Sequence, residues 1–302
     1  MPDIVVFGSI NLDIIVPVAR LPERGETLLG GDAVFSPGGK GANQAHAARL
    51  AGAEVAMVGR VGSDGLAEPA LALLERNGVD LACVGRSDRA TGCATIWNGA
   101  DGSSTIVVSP GANEDVTADD VPDALLEPGK VLLLQQEVPL AENARLVERA
   151  ARRGVPVVLN AAPAVEPPDA IFGGVDYLIV NEIELRMIAA AHGLSGEDDM
   201  PALLARKLDL TVIATFGDKG VVYTDGSEAG EVAAHPIDVV DTTGAGDTFV
   251  GVFAACLARD PDLSRPDLDR AVGLANAAAA LSCRRRGAQA AQPRWDDFAA
   301  GA

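Results

Sequence analysis

The sequence lacks a long uninterrupted apolar segment. Among its 302 residues, no hydrophobic run approaches the ~20 residues that a membrane-spanning helix requires. The chain starts with Met1-Pro2-Asp3 and continues directly into a strand-like run, without the basic region that opens a secretory signal peptide. We therefore expect a soluble, cytoplasmic protein with no membrane partner.

Basic residues are scarce, and lysine is the scarcest of them. Lysine and arginine together number 24 against 43 acidic residues, which gives a formal net charge of −19. Because nucleic-acid phosphates require a basic surface, this composition argues against a nucleic-acid partner. The same negative field repels an anionic substrate, so such a substrate must be met by a local positive feature.

Cysteine and histidine are also rare, with four and three residues. The cysteines contain no C-x-x-C pair and the histidines are scattered, so neither a zinc site nor Cys-His catalysis is expected. Two nucleotide-binding fingerprints are missing as well. Lys40 is followed by Gly41 rather than Ser or Thr, and Gly244-Ala245-Gly246 does not continue to G-x-x-G. These absences disfavour a P-loop protein and an α/β dehydrogenase.

The sequence is rich in hydrophobic residues, which make up 48% of the chain and form alternating strand-like and helix-like segments. Buried-strand patterns occur at residues 5–8, 54–59, 131–134, 155–159, 177–180 and 210–214. Helical patterns occur at residues 38–50, 64–77, 140–152, 182–192, 200–207, 246–258 and 268–283, with a hairpin at 220–224 and 231–235. This alternation predicts an α/β fold with a mostly parallel sheet and helices on both faces.

Two segments interrupt the alternation. Residues 13–37 contain short strand-like pieces at 14–18, 27–29 and 33–35, broken by proline and glycine with no helical pattern between them. Two further pieces, 94–97 and 104–108, flank a turn. We expect these pieces to form a small sheet outside the main one. The prediction is a single α/β domain over residues 1–302 with a lid formed by about 13–37 and 91–108.

Residues 241–249, with the sequence DTTGAGDTF, suggest an anion site. The small residues Gly244, Ala245 and Gly246 precede an apolar helical run, and the N–H groups at a helix start attract anions. Asp247 follows them immediately. Beside a bound phosphate, its carboxylate could accept a proton from an attacking hydroxyl. On this segment alone, an ordinary capping acid explains the pattern equally well.

Two polar segments near the N-terminus suggest a site for a polyhydroxylated molecule. In Gly38-Gly39-Lys40-Gly41-Ala42-Asn43, the glycines permit close backbone approach, and Lys40 and Asn43 can face one ligand. Ser9, Asn11 and Asp13 follow a buried strand at alternate positions and would point to one side of an extended chain. A glycine turn with a capped helix, and a polar strand end, are the simpler interpretations.

Residues 38–45 (GGKGANQA) and 241–249 together resemble the two signatures of the ribokinase-like (PfkB) family of sugar kinases. Residues 8–13, 111–113, 160–164 and 286–289 also resemble segments of this family, so the similarity covers essentially the whole chain. The resemblance implies a Rossmann-like α/β domain with a β-sheet lid that serves as a homodimer interface.

The resemblance also implies roles for individual residues. Those that match sugar-binding positions are Asn11, Asp13, Gly39, Lys40, Asn43, Glu137 and Asp247. Those that match nucleotide-binding positions are Asn181, Thr215, Gly217, Gly220, Ala245, Gly246 and Asn276. Asp247 would act as the base, and the N–H groups of Gly244, Ala245 and Gly246 would stabilise the transferred phosphoryl group.

Two cations are implied as well. Glu184 matches the family residue that organises Mg²⁺ through water, although Asn181-x-x-Glu184 alone suggests a helix cap. The positions of a monovalent-cation site, with K⁺ as its expected ion, match Asp241, Thr243, Ser282, Arg285 and Gly287. Ala291 stands where family members can present a serine, so one contact to this cation differs.

The function that the resemblance implies is ATP-dependent phosphorylation of the primary hydroxyl of a furanose sugar, with D-ribose as the expected acceptor. A kinase for deoxyribose, fructose or a nucleoside is the alternative within the family. A non-catalytic regulator that binds a sugar or a nucleotide is the alternative from another class, which an intact Asp247 disfavours because a sensor needs no base.

Overall fold

The computed structural model describes residues 2–101, 103–194, 199–260 and 265–299. Within these ranges the strands, in chain order, are β1 Ile4–Phe7, β2 Asn11–Val18, β3 Val34–Gly38, β4 Val55–Gly62, β5 Asp80–Ser87, β6 Gly92–Gly99, β7 Ser104–Ser109, β8 Val131–Leu134, β9 Val157–Asn160, β10 Tyr177–Asn181, β11 Thr211–Thr215, β12 Val221–Thr224 and β13 Ala229–Val232. The α-helices are α1 Lys40–Leu50, α2 Ala67–Arg76, α3 Leu140–Arg152, α4 Glu182–Ala191, α5 Met200–Leu208, α6 Ala245–Arg259, α7 Arg265–Ser282 and α8 Trp295–Phe298.

The main sheet has nine strands in the order β13-β12-β11-β10-β9-β8-β1-β4-β5. All pairings are parallel except those of β12 with β11 and β13. β1 lies between β8 and β4, and the chain builds outward from it in both directions. Ligands of open α/β sheets bind where the strand order reverses, at the carboxyl ends of the strands. We therefore expect the ligand site in the crevice beyond the carboxyl ends of β1 and β8.

The hydrophobic core consists of two layers, one on each face of the main sheet. In β1, side chains alternate between the two layers: Ile4 and Val6 join one, Val5 and Phe7 the other. The first layer is completed by α1, α2, α6 and α7, and the second by α3, α4 and α5. The predicted α/β fold, with a mostly parallel sheet and helices on both faces, is confirmed.

A second sheet of four strands has the order β3-β2-β6-β7. β2 pairs with β6 in parallel, and the two outer pairings are antiparallel. The strands come from the two segments expected to form the lid. Register places Asp13, Ile15, Ile96 and Ile106 on one face of this sheet, because they are opposite one another or two residues apart. Ile106 is 58% exposed, so this face is partly open to solvent.

Three local predictions were wrong. Residues 27–29 form no strand, because they lie in an irregular loop where Leu29 is 95% exposed and pairs with nothing in the described chain. The edge strand β5 was missed, because its half-exposed side chains do not form a continuous apolar run. The last hairpin strand is Ala229–Val232 rather than 231–235, since its pairing with β12 fixes its position.

None of the described helices combines the length and the apolar character that crossing a bilayer would require.

Candidate active site

Hydrogen bonds join the ends of β1 and β8 to the start of α1. Ser9 Oγ donates to Glu137 Oε2 at 2.6 Å, and the backbone N–H of Lys40 donates to the same oxygen at 3.0 Å. Gly39 precedes α1 with φ +86°, and a Cβ there would lie 2.8 Å from the backbone nitrogen of Asn11. Only glycine meets both conditions without strain, so this turn brings α1 directly onto the crevice.

Asn11 and Asp13 begin β2 beside this turn. Asn11 Oδ1 accepts a hydrogen bond from Asn113 Nδ2 at 2.7 Å, which fixes its amide. The Asp13 carboxylate, by contrast, receives no hydrogen bond from any described residue. It lies against bare backbone, since a Cβ at Gly38 would approach Asp13 Oδ2 to 2.2 Å. A largely buried carboxylate without a donor is ready to accept hydrogen bonds from a ligand.

The charges around Asp13 are strongly coupled. Burial, followed by the charges of Glu137 and Asp247, raises the pKa of Asp13 to about 7. The charge of Asp247 does most to raise the pKa of Lys40, against the opposing effect of burial, with smaller contributions from Glu137 and Glu184. One lysine thus compensates several carboxylates. Hydroxyl groups of a polyol would supply the missing donors.

Asp247 is the third residue of α6 and is 7% exposed. Its Oδ2 accepts from Asn43 Nδ2 and its Oδ1 from Gln44 Nε2, both at 2.9 Å. Both donors belong to α1, which packs closely on α6: a Cβ at Gly251 would lie 2.5 Å from the carbonyl oxygen of Gln44. The contact between the two helices therefore determines where the carboxylate points.

Around Asp247 lie four buried amides, and the sequence assigned a role only to Asn43, leaving Gln44, Asn160 and Gln289 without one. Gln44 also donates to Asn160 Oδ1 at 3.0 Å, and Gln289 Nε2 donates to Asn43 Oδ1 at 3.1 Å. Because an amide both donates and accepts, each bond restricts the rotamer of the next. The only available signal was that all four amides fall in segments already singled out by the resemblance.

The start of α6 is the segment for which an anion site is predicted. Gly244 is the N-cap with φ +76°, and a Cβ there would lie 2.8 Å from the Cα of Ala288. The Ala245 N–H already donates to the Thr242 carbonyl at 3.2 Å, so it is shared rather than free. The N–H groups of Gly244 and Gly246 have no backbone acceptor in the described chain. A Cβ at Gly246 would meet nothing within 4 Å, so the space above this turn is open.

A cavity of about 570 Å³ lies beside the start of α6. Its walls are the turn after β11, the segment after β13, and the facing surfaces of α6 and α7, and they are largely apolar. Six of the seven residues predicted to contact the nucleotide line it: Thr215, Gly217, Gly220, Ala245, Gly246 and Asn276. The seventh, Asn181, does not. Asn276 Nδ2 donates to the Ala233 carbonyl at 2.8 Å and thereby anchors one wall.

Asn181 and Glu184 form a capping box at the start of α4. Asn181 Oδ1 accepts from the backbone N–H groups of Ile183 and Glu184 at 2.9 Å, and Glu184 Oε2 accepts from the Asn181 N–H at 2.8 Å. Burial raises the pKa of Glu184, and Asp247 adds to this, while Asn181 and Lys40 oppose it. The cap interpretation is thus correct, and the charges of Lys40 and Asp247 act on the same carboxylate.

Three of the residues predicted for a monovalent cation are brought together before α6. Asp241 Oδ1 accepts from Thr243 Oγ1 at 2.6 Å, and Oδ2 accepts from the Gly287 N–H at 3.0 Å. Burial raises the pKa of Asp241, but the hydrogen bonds from Gly287 and Thr243, together with the charge of Arg286, outweigh it and leave the pKa below its usual value. Ser282 Oγ donates a hydrogen bond to the Ala279 carbonyl at 2.7 Å, and the Arg285 side chain is exposed.

Comparison with known proteins identifies the class of this site. The model of the family described as "pfkB family carbohydrate kinase" matches residues 1–295. A ribokinase from Bacillus subtilis is 37% identical over 298 residues, which are 97% of each chain. A deoxyribokinase from Salmonella typhi is 31% identical over 303 residues, 98% of this chain and 97% of the relative.

Solved structures of similar proteins have the same fold as this chain. Ribokinase from Thermotoga maritima superposes with a TM-score of 0.90 at 30% identity, with 99% of each chain covered. Arabidopsis thaliana ribokinase complexed with ribose and ATP gives a TM-score of 0.88 at 30% identity, covering 99% of this chain and 98% of that one. The fold and the site together define an α/β phosphotransferase that acts on carbohydrates. The chain belongs to the pfkB family of carbohydrate kinases.

Proposed function

We propose that this kinase transfers the γ-phosphoryl group of ATP to the primary hydroxyl of a furanose sugar, with D-ribose as the acceptor and D-ribose 5-phosphate as the product. The observation that carries the proposal is the Asp13 carboxylate, which lies beside the charges of Glu137 and Asp247 and receives no hydrogen bond from the part of the chain that the structure describes. A carboxylate accepts hydrogen bonds from two hydroxyl groups, as the vicinal diol of ribose would offer.

Several neighbours would hold the sugar in the same crevice. The residues that surround this position are Asn11, Gly39, Lys40, Asn43 and Glu137. Asp247 then accepts the proton of the primary hydroxyl as that oxygen attacks phosphorus. Asn43 and Gln44 keep the carboxylate oriented, so it needs no reorganisation during the reaction.

The nucleotide occupies the cavity beside α6 in this proposal. Its apolar walls suit a purine ring, and the phosphates extend to the helix start, where Gly244, Ala245 and Gly246 present backbone N–H groups and the positive end of the helix dipole. Asn181, at the start of α4, would contact the phosphates through water. Phosphoryl transfer requires mainly positioning and charge neutralisation, which this arrangement provides.

The residues present also fit two cations. The described chain offers no cluster of three or more acidic, histidine or cysteine side chains for a metal. Mg²⁺ would therefore be held by phosphate oxygens and by water on the buried carboxylate of Glu184, where it neutralises phosphate charge. A potassium ion would be held mainly by backbone carbonyls near Asp241, Thr243, Ser282, Arg285 and Gly287, because the Asp241 carboxylate already accepts three hydrogen bonds.

A coupled ADP-release assay over ribose, deoxyribose, fructose and nucleosides, with and without K⁺, tests the proposal. We expect the largest kcat/KM with ribose and a higher rate with K⁺. Deoxyribose is the second candidate, because a deoxyribokinase is among the relatives. A preference for deoxyribose over ribose would assign deoxyribose as the substrate. The absence of turnover with any pentose would refute the proposed function.

Gly246 provides a separate prediction about the phosphate site. Gly246 lines the cavity, and a Cβ there would project into open space. Because the methyl group of an alanine would occupy space proposed for the phosphates, we expect the apparent KM for ATP to rise about 10-fold. The unfolding temperature should stay the same or rise, since alanine favours a helix over glycine by about 1 kcal/mol. Gly273→Ala, also in a helix with open space but outside the cavity lining, is the matched control. Equal ATP kinetics in both variants would contradict the assignment.

We also propose that the second sheet pairs two copies of the chain. Val34 and Ile106 lie on the same face of this sheet as Asp13 and are 56% and 58% exposed. The second sheet of a partner copy would bury these apolar side chains. Sedimentation velocity should give a dimer at micromolar concentration, and Ile106→Asp should give a monomer. A monomeric wild-type protein would exclude this interface.

A further inference from the structure

Three consecutive arginines, Arg284, Arg285 and Arg286, form the longest basic run in the sequence. Elsewhere most arginines are neutralised by a carboxylate, as Arg60 is by Asp120 at 2.6 Å. The side chains of the three arginines are exposed and form no hydrogen bond or ion pair with any described residue. The charge of Arg286 helps to lower the pKa of the Asp241 carboxylate, so this one arginine is partly compensated. Like charges so close together repel one another, so a run that forms no direct ion pair in a chain of net charge −19 favours an anionic partner.

The run is adjacent in the chain to the wall of the cavity beside α6. It follows Cys283, the last residue of the chain that lines the cavity. On its other side, the Gly287 N–H donates to Asp241, and Ala288 packs against Gly244 at the start of α6. The three arginines thus connect the cavity wall to the loop that precedes the phosphate site. Their positions are determined by α7, which packs in the same core layer as α6.

We propose that these arginines form a basic rim that captures the phosphates of the incoming nucleoside triphosphate and steers it into the cavity. The inference rests on the proposed position of the nucleotide. The whole-molecule charge repels a polyanion, and a local cluster of positive charge at the opening reverses that field over about one Debye length, ~10 Å at 0.1 M salt. The rim acts on association and takes no part in the chemical step.

The test variant is Arg284→Gln/Arg286→Gln, which leaves Arg285 in place because its carbonyl belongs to the proposed cation site. The matched control is Arg76→Gln/Arg152→Gln, which removes the same charge. Both control residues are exposed at the C-terminal ends of α2 and α3. Because each of these helices connects two parallel strands, it ends near the amino ends of the strands, away from the carboxyl ends where the candidate site lies.

The measurement is the association rate of ATP without sugar, by stopped flow, with adenosine as the uncharged probe. K⁺ is held constant, and ionic strength is varied with choline chloride. We expect the rim variant to bind ATP about 3- to 10-fold more slowly at low ionic strength. The difference should vanish near 0.5 M salt. Adenosine binding, kcat and the KM for the sugar should be unchanged, and the control variant should match the wild type.

Three results would overturn the proposal: an equal loss in the control, an equal loss for adenosine, or an effect that persists at high salt. The first would indicate a net-charge effect and the other two a structural one. Because binding is measured without sugar, the result does not depend on which acceptor is phosphorylated. Failure of the sugar assay with an intact rim effect would therefore count against the substrate and not against the rim.

Discussion

Asp247→Asn should lower kcat on the order of 10³-fold while nucleotide binding persists, because the amide cannot accept the proton of the attacking hydroxyl. The variant should fold. Its new Nδ2 would face the Asn43 donor, but Asn43 can rotate to present Oδ1 and donate instead to Gln289 Oε1, which is buried and lacks a partner in the described chain. A concerted rotation of two amides thus restores the hydrogen bonds that join these three side chains.

Single-turnover kinetics and titration calorimetry with ATP provide the measurement. Gln44→Glu is a useful companion variant, because it replaces the donor to Asp247 Oδ1 with a second carboxylate while retaining the size of the side chain. We expect it to lower kcat more than it raises the KM for ATP. Near-normal turnover of Asp247→Asn would remove Asp247 from the role of base.

Asp13→Asn has the second largest expected effect and should act on the sugar rather than the nucleotide. We expect kcat/KM for the sugar to fall roughly 100-fold, because a neutral amide replaces a carboxylate that accepts two hydroxyl groups in a largely buried site. The affinity for ATP should not change. In the wild type, kcat/KM for the sugar should rise as the pH increases through about 7, the pKa of Asp13.

The same substitution should stabilise the free enzyme at alkaline pH. The pKa of Asp13 is about 7 in the folded chain against 3.8 in the unfolded one. The folded state therefore holds a proton that the unfolded state releases between these values, and that stability is lost as the pH rises through about 7. Asp13→Asn avoids the loss, so it should be more stable at pH 8 by about 1 to 2 kcal/mol after discounting for partial exposure.

Chemical unfolding at pH 5 and pH 8, with and without sugar, measures this difference. The variant should gain stability over the wild type at pH 8 and less at pH 5. Glu26→Gln is a suitable control, since this exposed carboxylate pairs with Arg20 and is not among the charges that raise the pKa of Asp13. A variant that is destabilised at both pH values would indicate that the carboxylate supports the fold, contrary to its lack of partners.

Local sequence patterns were sufficient for most of the fold. Strands such as β8 and helices such as α3 were predicted to the residue, because each combines a clear apolar period with breakers at its ends. Edge elements were harder. β5 lies at the end of the main sheet with half of its side chains exposed, and the pairing that defines it is not a local property.

The glycine-rich turns and the acids were recognisable as a candidate kinase site because their types and order are distinctive. The amides that complete the site were not. Gln44 and Asp247 are 203 residues apart and meet at 2.9 Å only because α1 and α6 pack at Gly251. No periodicity links them, and glutamine in a helix usually faces solvent.

The sequence by itself determined the alternation of strands and helices, the small residues at the start of α6 and the carboxylates available for chemistry. These depend on neighbours in the chain. Only the tertiary structure decided that Asp13 receives no hydrogen bond from the described residues, that burial and neighbouring charges raise its pKa to about 7, and that the residue before the three arginines lines the cavity beside α6. Burial and electrostatic coupling depend on distances between segments far apart in the chain, and those distances exist only after the sheet and its helices have packed.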